Sequence, residues 1–112
     1  MANDPPRWVV RPSPALLDHV RTLYGPERGP TGTPCYTDFV NFMLPHLVEA
    51  VSVTWSSAQP VPGYDGVVRE LVTRPHVMFG PARVTGFDDG DTVWLIGYEP
   101  DRKFWVDYEE PE

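Results

Sequence analysis

Apolar and polar positions alternate most clearly in the last third of the chain. Val84, Gly86 and Phe87 lead into Asp88-Asp89-Gly90-Asp91, and Val93, Leu95 and Ile96 follow with Thr92 and Trp94 between them. Period-two runs on both sides of an Asp-Gly pair predict a β-hairpin, because the turn needs positive φ and glycine supplies it without a Cβ clash. A second turn, Glu99-Pro100-Asp101-Arg102, leads into Lys103-Phe104-Trp105-Val106-Asp107-Tyr108. The stretch from His76 to Tyr108 therefore reads as a three-strand antiparallel meander.

Upstream the period changes. Arg7-Trp8-Val9-Val10-Arg11 reads as a short strand, which Pro12 confines to an edge or a terminus. Ser13 is a good N-cap with Pro14 at the first helical position. Ala15, Leu16, His19, Val20 and Leu23 follow at helical spacing, widened by Leu17, until Gly25-Pro26 ends the helix. Residues 25–34, with six Gly or Pro in ten positions, read as a surface loop.

Thr37 or Asp38 opens a second helix through Phe39, Val40, Phe42, Met43, Leu47 and Val48, with a bend expected at Pro45, whose ring removes a backbone hydrogen bond. The β-branched run Val51-Ser52-Val53-Thr54-Trp55 is compatible with a strand, but the helix is expected to reach about Thr54. Residues 56–66 form a second loop. Val67 to Val72 fits a strand or a helical turn.

These elements predict one α+β domain over 1–112: an antiparallel sheet made of the N-terminal strand and the C-terminal meander, with two helices packed on one face. Residues 1–6 and 109–112 are expected to be flexible ends.

Charge changes the picture, because it is unevenly placed. The net charge is −7. Residues 1–84 hold seven acidic and seven basic side chains, whereas 85–112 hold nine acidic ones against Arg102 and Lys103, so the whole excess lies on the meander and tail. Such a surface attracts basic partners and repels phosphate backbones. Asp88, Asp89, Asp91, Asp107, Glu109 and Glu110 are the expected contacts to a protein partner with a basic surface.

Composition otherwise excludes more than it assigns. A hydrophobic fraction of 41% suits a folded chain, and fourteen prolines make its connections stiff. No apolar run approaches the ~20 residues of a membrane span, and Met1 to Trp8 lacks the features of a signal peptide. Cys35 stands alone, so no intrachain disulfide forms; a cytoplasmic protein is expected. His19, His46 and His76 share no metal-ligand spacing, and the aspartates of the turn are too close together for a calcium loop, so no metal or cofactor is expected. No dinucleotide, Walker or nucleophile-elbow motif occurs. What remains is Arg83, Tyr98, Arg102, Lys103 and Tyr108, types that steady a phosphate, stack on a base or move a proton.

The opening Trp8-Val9-Val10-Arg11-Pro12-Ser13-Pro14-Ala15-Leu16 and the run Ala82 to Leu95 resemble the first strand and helix, and the arginine-bearing hairpin, of the RelE/ParE superfamily of bacterial toxins. The resemblance implies a toxin-like module of a toxin–antitoxin or related conflict system. Some members of that family cut mRNA on the ribosome with basic and tyrosine side chains of the meander. Carried over by position, Arg83, Arg102 or Lys103, and Tyr108 would be the catalytic candidates. The ribonuclease members are basic, however, and here the corresponding face is acidic, which works against binding RNA. The alternative is a non-enzymatic acidic binder, of the immunity or inhibitor type, that covers a basic surface.

Overall fold

The structure, a computed structural model, describes residues 8–30 and 32–101. Strand β1 (Val10–Pro12) passes directly into helix α1 (Pro14–Tyr24). The start of α1 is built as its sequence requires: the Ser13 hydroxyl accepts the Leu16 amide at 3.1 Å, and Pro14 occupies a position that needs no donor. Gly25 ends the helix at φ 73°, a conformation open to glycine, while its N–H bonds to the Arg21 carbonyl.

A second helical run follows in three segments: α2 (Tyr36–Asp38), a π-type turn (Phe39–Met43) and α3 (Leu44–Thr54). The π turn sits just before Pro45, with the Leu44 amide reaching back to Phe39 rather than to Val40. A proline inside an α-helix forfeits one donor and crowds the carbonyl four residues back. The widened turn is where the expected irregularity is taken up. The run continues to Thr54, and a single tight turn (Trp55–Ser57) closes it.

The rest of the chain is sheet: β2 (Gln59–Pro60), β3 (Val68–Val72), β4 (Ala82–Asp88) and β5 (Val93–Pro100), in the spatial order β1-β5-β4-β3-β2. The architecture is α+β, with both helices on one face of the sheet. Two features differ from the antiparallel design expected. First, β1 runs parallel to β5, with Val10 opposite Val93, so the sheet is mixed. No tight turn joins these two strands, so nothing local dictates their relative direction. It is fixed by the Val93 amide on the Val9 carbonyl (2.8 Å) and the Ser13 amide on the Leu95 carbonyl (3.0 Å). Second, the meander is β3-β4-β5, which settles 68–72 as strand; the third strand expected at Lys103–Tyr108 lies outside the described residues.

Between the layers lies the core. Leu16 and Val20 of α1, Phe39, Met43, Leu47, Val51 and Trp55 of the second helical run, and Val84, Val93 and Leu95 of the sheet are all buried. Each such side chain contributes roughly 1.5–3 kcal/mol relative to remaining exposed. An aromatic cluster of Tyr24, Phe39, Phe79 and Tyr98 fills one end, with Phe39 and Tyr98 centroids 5.0 Å apart.

Candidate functional site

Among the described residues the two helices pack on one side of the sheet, and the other face carries exposed side chains. Along β4 the alternation sends Ala82, Val84 and Gly86 inward and Arg83, Thr85 and Phe87 outward. On β5, Val93 and Leu95 point inward and Trp94 outward. A β-bulge then intervenes: Gly86 pairs with Leu95 but Thr85 pairs with Gly97, which leaves Ile96 as the extra residue. The bulge resets the alternation, so Tyr98 turns into the core opposite Val84, and Glu99 emerges opposite Arg83.

That pairing defines the chemistry of Arg83. Its guanidinium lies 3.6 Å from Glu99 and 3.7 Å from Glu70, which β3 brings onto the same face. Two carboxylates flank this one cation, so among the described residues the trio carries a net negative charge. Arg83 and Glu99 border an open groove of about 530 Å³ beside α1, lined also by the exposed His19 and half-buried Leu23 of α1, by Val72 of β3, and by Pro81 and Tyr98. Val72, Phe87 and Ile96 are exposed large apolar side chains of this sheet. The face is thus apolar in patches with an acidic excess, and Arg11 lies on the far strand.

Tyr98, one of the residue types singled out for moving a proton, is not available for that. Its ring is buried, and its hydroxyl sits 2.7 Å from that of Tyr24. Burial and the neighbouring Tyr24 push the Tyr98 hydroxyl far up, and burial raises Tyr24 too. Both stay protonated and serve as a polar tie inside the aromatic cluster.

The acidic turn is more self-contained than its charge suggests. Asp88 accepts the Gly90 amide at 2.9 Å. One oxygen of Asp89 accepts the amides of Asp91 (2.9 Å) and Thr92 (2.8 Å), and the other accepts Trp94 Nε1 at 2.9 Å. Chiefly through the Trp94 bond, and then through those amides, the Asp89 carboxyl is held below its ordinary range. Of the three turn aspartates, Asp89 therefore shapes the hairpin and steadies the indole, while the exposed Asp91 presents its charge outward. The other expected site residues, Arg102, Lys103, Asp107, Tyr108, Glu109 and Glu110, lie outside the described residues.

Two constellations were not visible in the sequence. Arg28 makes a two-pronged ion pair to Asp38 (2.8 and 2.9 Å), and Asp38 also accepts the Cys35 amide and thiol. The Arg28 bond, and next the Cys35 amide, hold the Asp38 carboxyl far below its usual range. Cys35 is buried in this lock, which explains its presence without nucleophilic chemistry. Separately, the rings of His46 and His76 stack face to face, 3.9 Å apart and 4° from parallel. Among the described residues no group of three or more His, Cys, Asp or Glu is placed to hold a metal ion, and no described helix is long and apolar enough to cross a membrane. No protein-family model matches the chain, and neither a curated protein nor a solved structure matches it.

Proposed function

We propose that the protein is a non-catalytic binding module whose open sheet face covers a basic, partly apolar surface of a partner protein. The observation that carries this reading is the Glu70–Arg83–Glu99 arrangement. The arginine that would have to meet a phosphate is already neutralised by two carboxylates within 4 Å. A phosphate approaching Arg83 would have to displace them against the repulsion of Asp101 and the acidic hairpin; a lysine or arginine of a partner would instead be attracted. Val72, Phe87 and Ile96 supply the apolar area that such an interface needs at its centre.

The ribonuclease reading implied by the RelE/ParE resemblance asks the opposite of the same residue. It requires Arg83 to be free for an anion, and it gains nothing from the burial of Tyr98.

The two readings separate in one titration. Fluorescence anisotropy is followed for a labelled amphipathic Lys/Leu peptide and, separately, for a labelled single-stranded RNA. Binding of the peptide, weakened steeply by salt and by Glu70→Gln with Glu99→Gln, is the expected result. RNA bound in preference to the peptide, and lost in Arg83→Ala, would overturn the proposal and favour the toxin-like one.

A further inference from the structure

Away from the sheet face, the turn between β3 and β4 carries an unusual combination. His76 and Phe79 exchange both backbone hydrogen bonds at 2.8 Å, which closes a tight turn over Val77 and Met78. Val77 takes φ 54°, a left-handed conformation that a β-branched side chain adopts only under strain, and its side chain is 68% exposed. Backbone strain at Val77 favours opening of the turn, and its exposed side chain adds no burial that would oppose it. What opposes opening is visible on either side: Phe79 is anchored in the aromatic cluster, and His76 is stacked flat on His46 of α3.

Two imidazoles face to face at 3.9 Å make a favourable contact when at least one is neutral. When both are charged, two like charges share one small volume, and the stack becomes repulsive. We propose that the His46–His76 stack is an acid-sensitive latch, which holds the β3–β4 turn against α3 near neutral pH and releases it on acidification. The rest of the molecule sets the direction in the same sense. Burial, and then the charge of His76, lower the affinity of His46 for a proton relative to its ordinary value of 6.5. The charged side chains nearest in sequence on the two elements are Glu49, three residues beyond His46 and itself engaged elsewhere or locally, and Arg74, two residues before His76.

The sign follows from linkage. A histidine whose folded-state proton affinity is depressed binds fewer protons folded than unfolded. The latch contributes fully above the ordinary histidine pKa, and its contribution is lost as pH falls from about 6.5 downward. Release would also reach the sheet face. The turn lies between Val72 and Arg83, which pair across β3 and β4 and both line the groove, and Thr73 and Ala82 close the ladder just above it.

Amide exchange measured by NMR on the whole chain tests the latch, with protection factors corrected for the intrinsic effect of pH. The amides of His76 and Phe79 are expected to lose protection by about tenfold between about pH 7.5 and 5. Val84 and Leu95 amides should keep theirs. In His46→Gln, and independently in His76→Gln, the pH dependence at the turn should flatten. Unchanged protection in the wild type over that range overturns the proposal without recourse to any variant. So does the same acid-induced loss in both glutamine variants, which would assign it to other groups.

Discussion

Gly86 offers the sharpest test of how the two layers meet. The alternation of β4 points position 86 into the core, yet a Cβ built there would lie 2.8 and 3.1 Å from the six-membered ring of Trp55 and 3.1 Å from Val93. Trp55 has little room to give. It is 2% exposed, and Arg69 holds the turn that carries it by donating to the Trp55 carbonyl (3.2 Å) and the Ser56 carbonyl (2.9 Å). Gly86→Ala should therefore overpack this contact at a cost of about 1–3 kcal/mol. Against this stands a gain of about 0.4–1 kcal/mol from the reduced freedom of the unfolded chain. A contact as short as 2.8 Å to a held ring places the cost in the upper half of that range, so the net expectation is a loss of about 1–2.5 kcal/mol, which for a domain of this size lowers Tm by about 4–11 °C. Urea and thermal unfolding followed by circular dichroism measure it. The cause is isolated by repeating the substitution in a Trp55→Phe background, because phenylalanine lacks the two ring atoms that clash. There the penalty should shrink, with a coupling of about 1 kcal/mol between the sites. A Gly86→Ala protein as stable as wild type, or strictly additive effects in the double variant, would refute this account of the interface.

Two further outcomes follow from single contacts. Gly90, at φ 104° in the hairpin turn, should not accept a β-branched residue: Gly90→Val is expected to cost roughly 1 kcal/mol or more by chemical denaturation, while Gly90→Asn should be milder. The Arg28–Asp38 lock should show in acid. Asp38 is depressed below its ordinary 3.8 chiefly by Arg28, so its stabilising effect is present above that value and is lost as pH falls below it. Unfolding midpoints measured from neutral pH down through that region should fall less in Arg28→Ala than in wild type.

How much of this was legible in the chain depended on how local each determinant is. The Ser13-Pro14 start, the Gly25 stop and the Gly90 turn all rest on neighbouring residues, and each stands where the pattern placed it. The second helix extends to Thr54 in spite of its β-branched end, because Val51 and Trp55 pack into the core at helical spacing. Non-local determinants were not legible. The parallel pairing of β1 depends on a strand most of the chain away. The orientation of Tyr98 depends on a single extra residue, Ile96, and no propensity at 93–100 announces where the ladder will slip. At the site, Arg83 stands exposed on β4. Its neutralisation by Glu70 and Glu99 required knowing that 68–72 is a strand in register with β4, which its composition left open. The acidic turn read as free charge, whereas two of its three aspartates, Asp88 and Asp89, are engaged in shaping its own hairpin. The His46–His76 stack joins two elements thirty positions apart, with nothing in either to signal the other.

The helix-free face of the sheet, acidic among the described residues around an already paired arginine, is proposed to receive a basic protein surface. The most direct test is a map of amide NMR shifts during titration with the amphipathic Lys/Leu peptide, set beside a Glu/Leu peptide of equal length. The basic peptide alone should move signals, and these should cluster at Glu70, Val72, Arg83, Thr85, Phe87, Ile96 and Glu99. Shifts confined to the helices, or equal responses to both peptides, would contradict it.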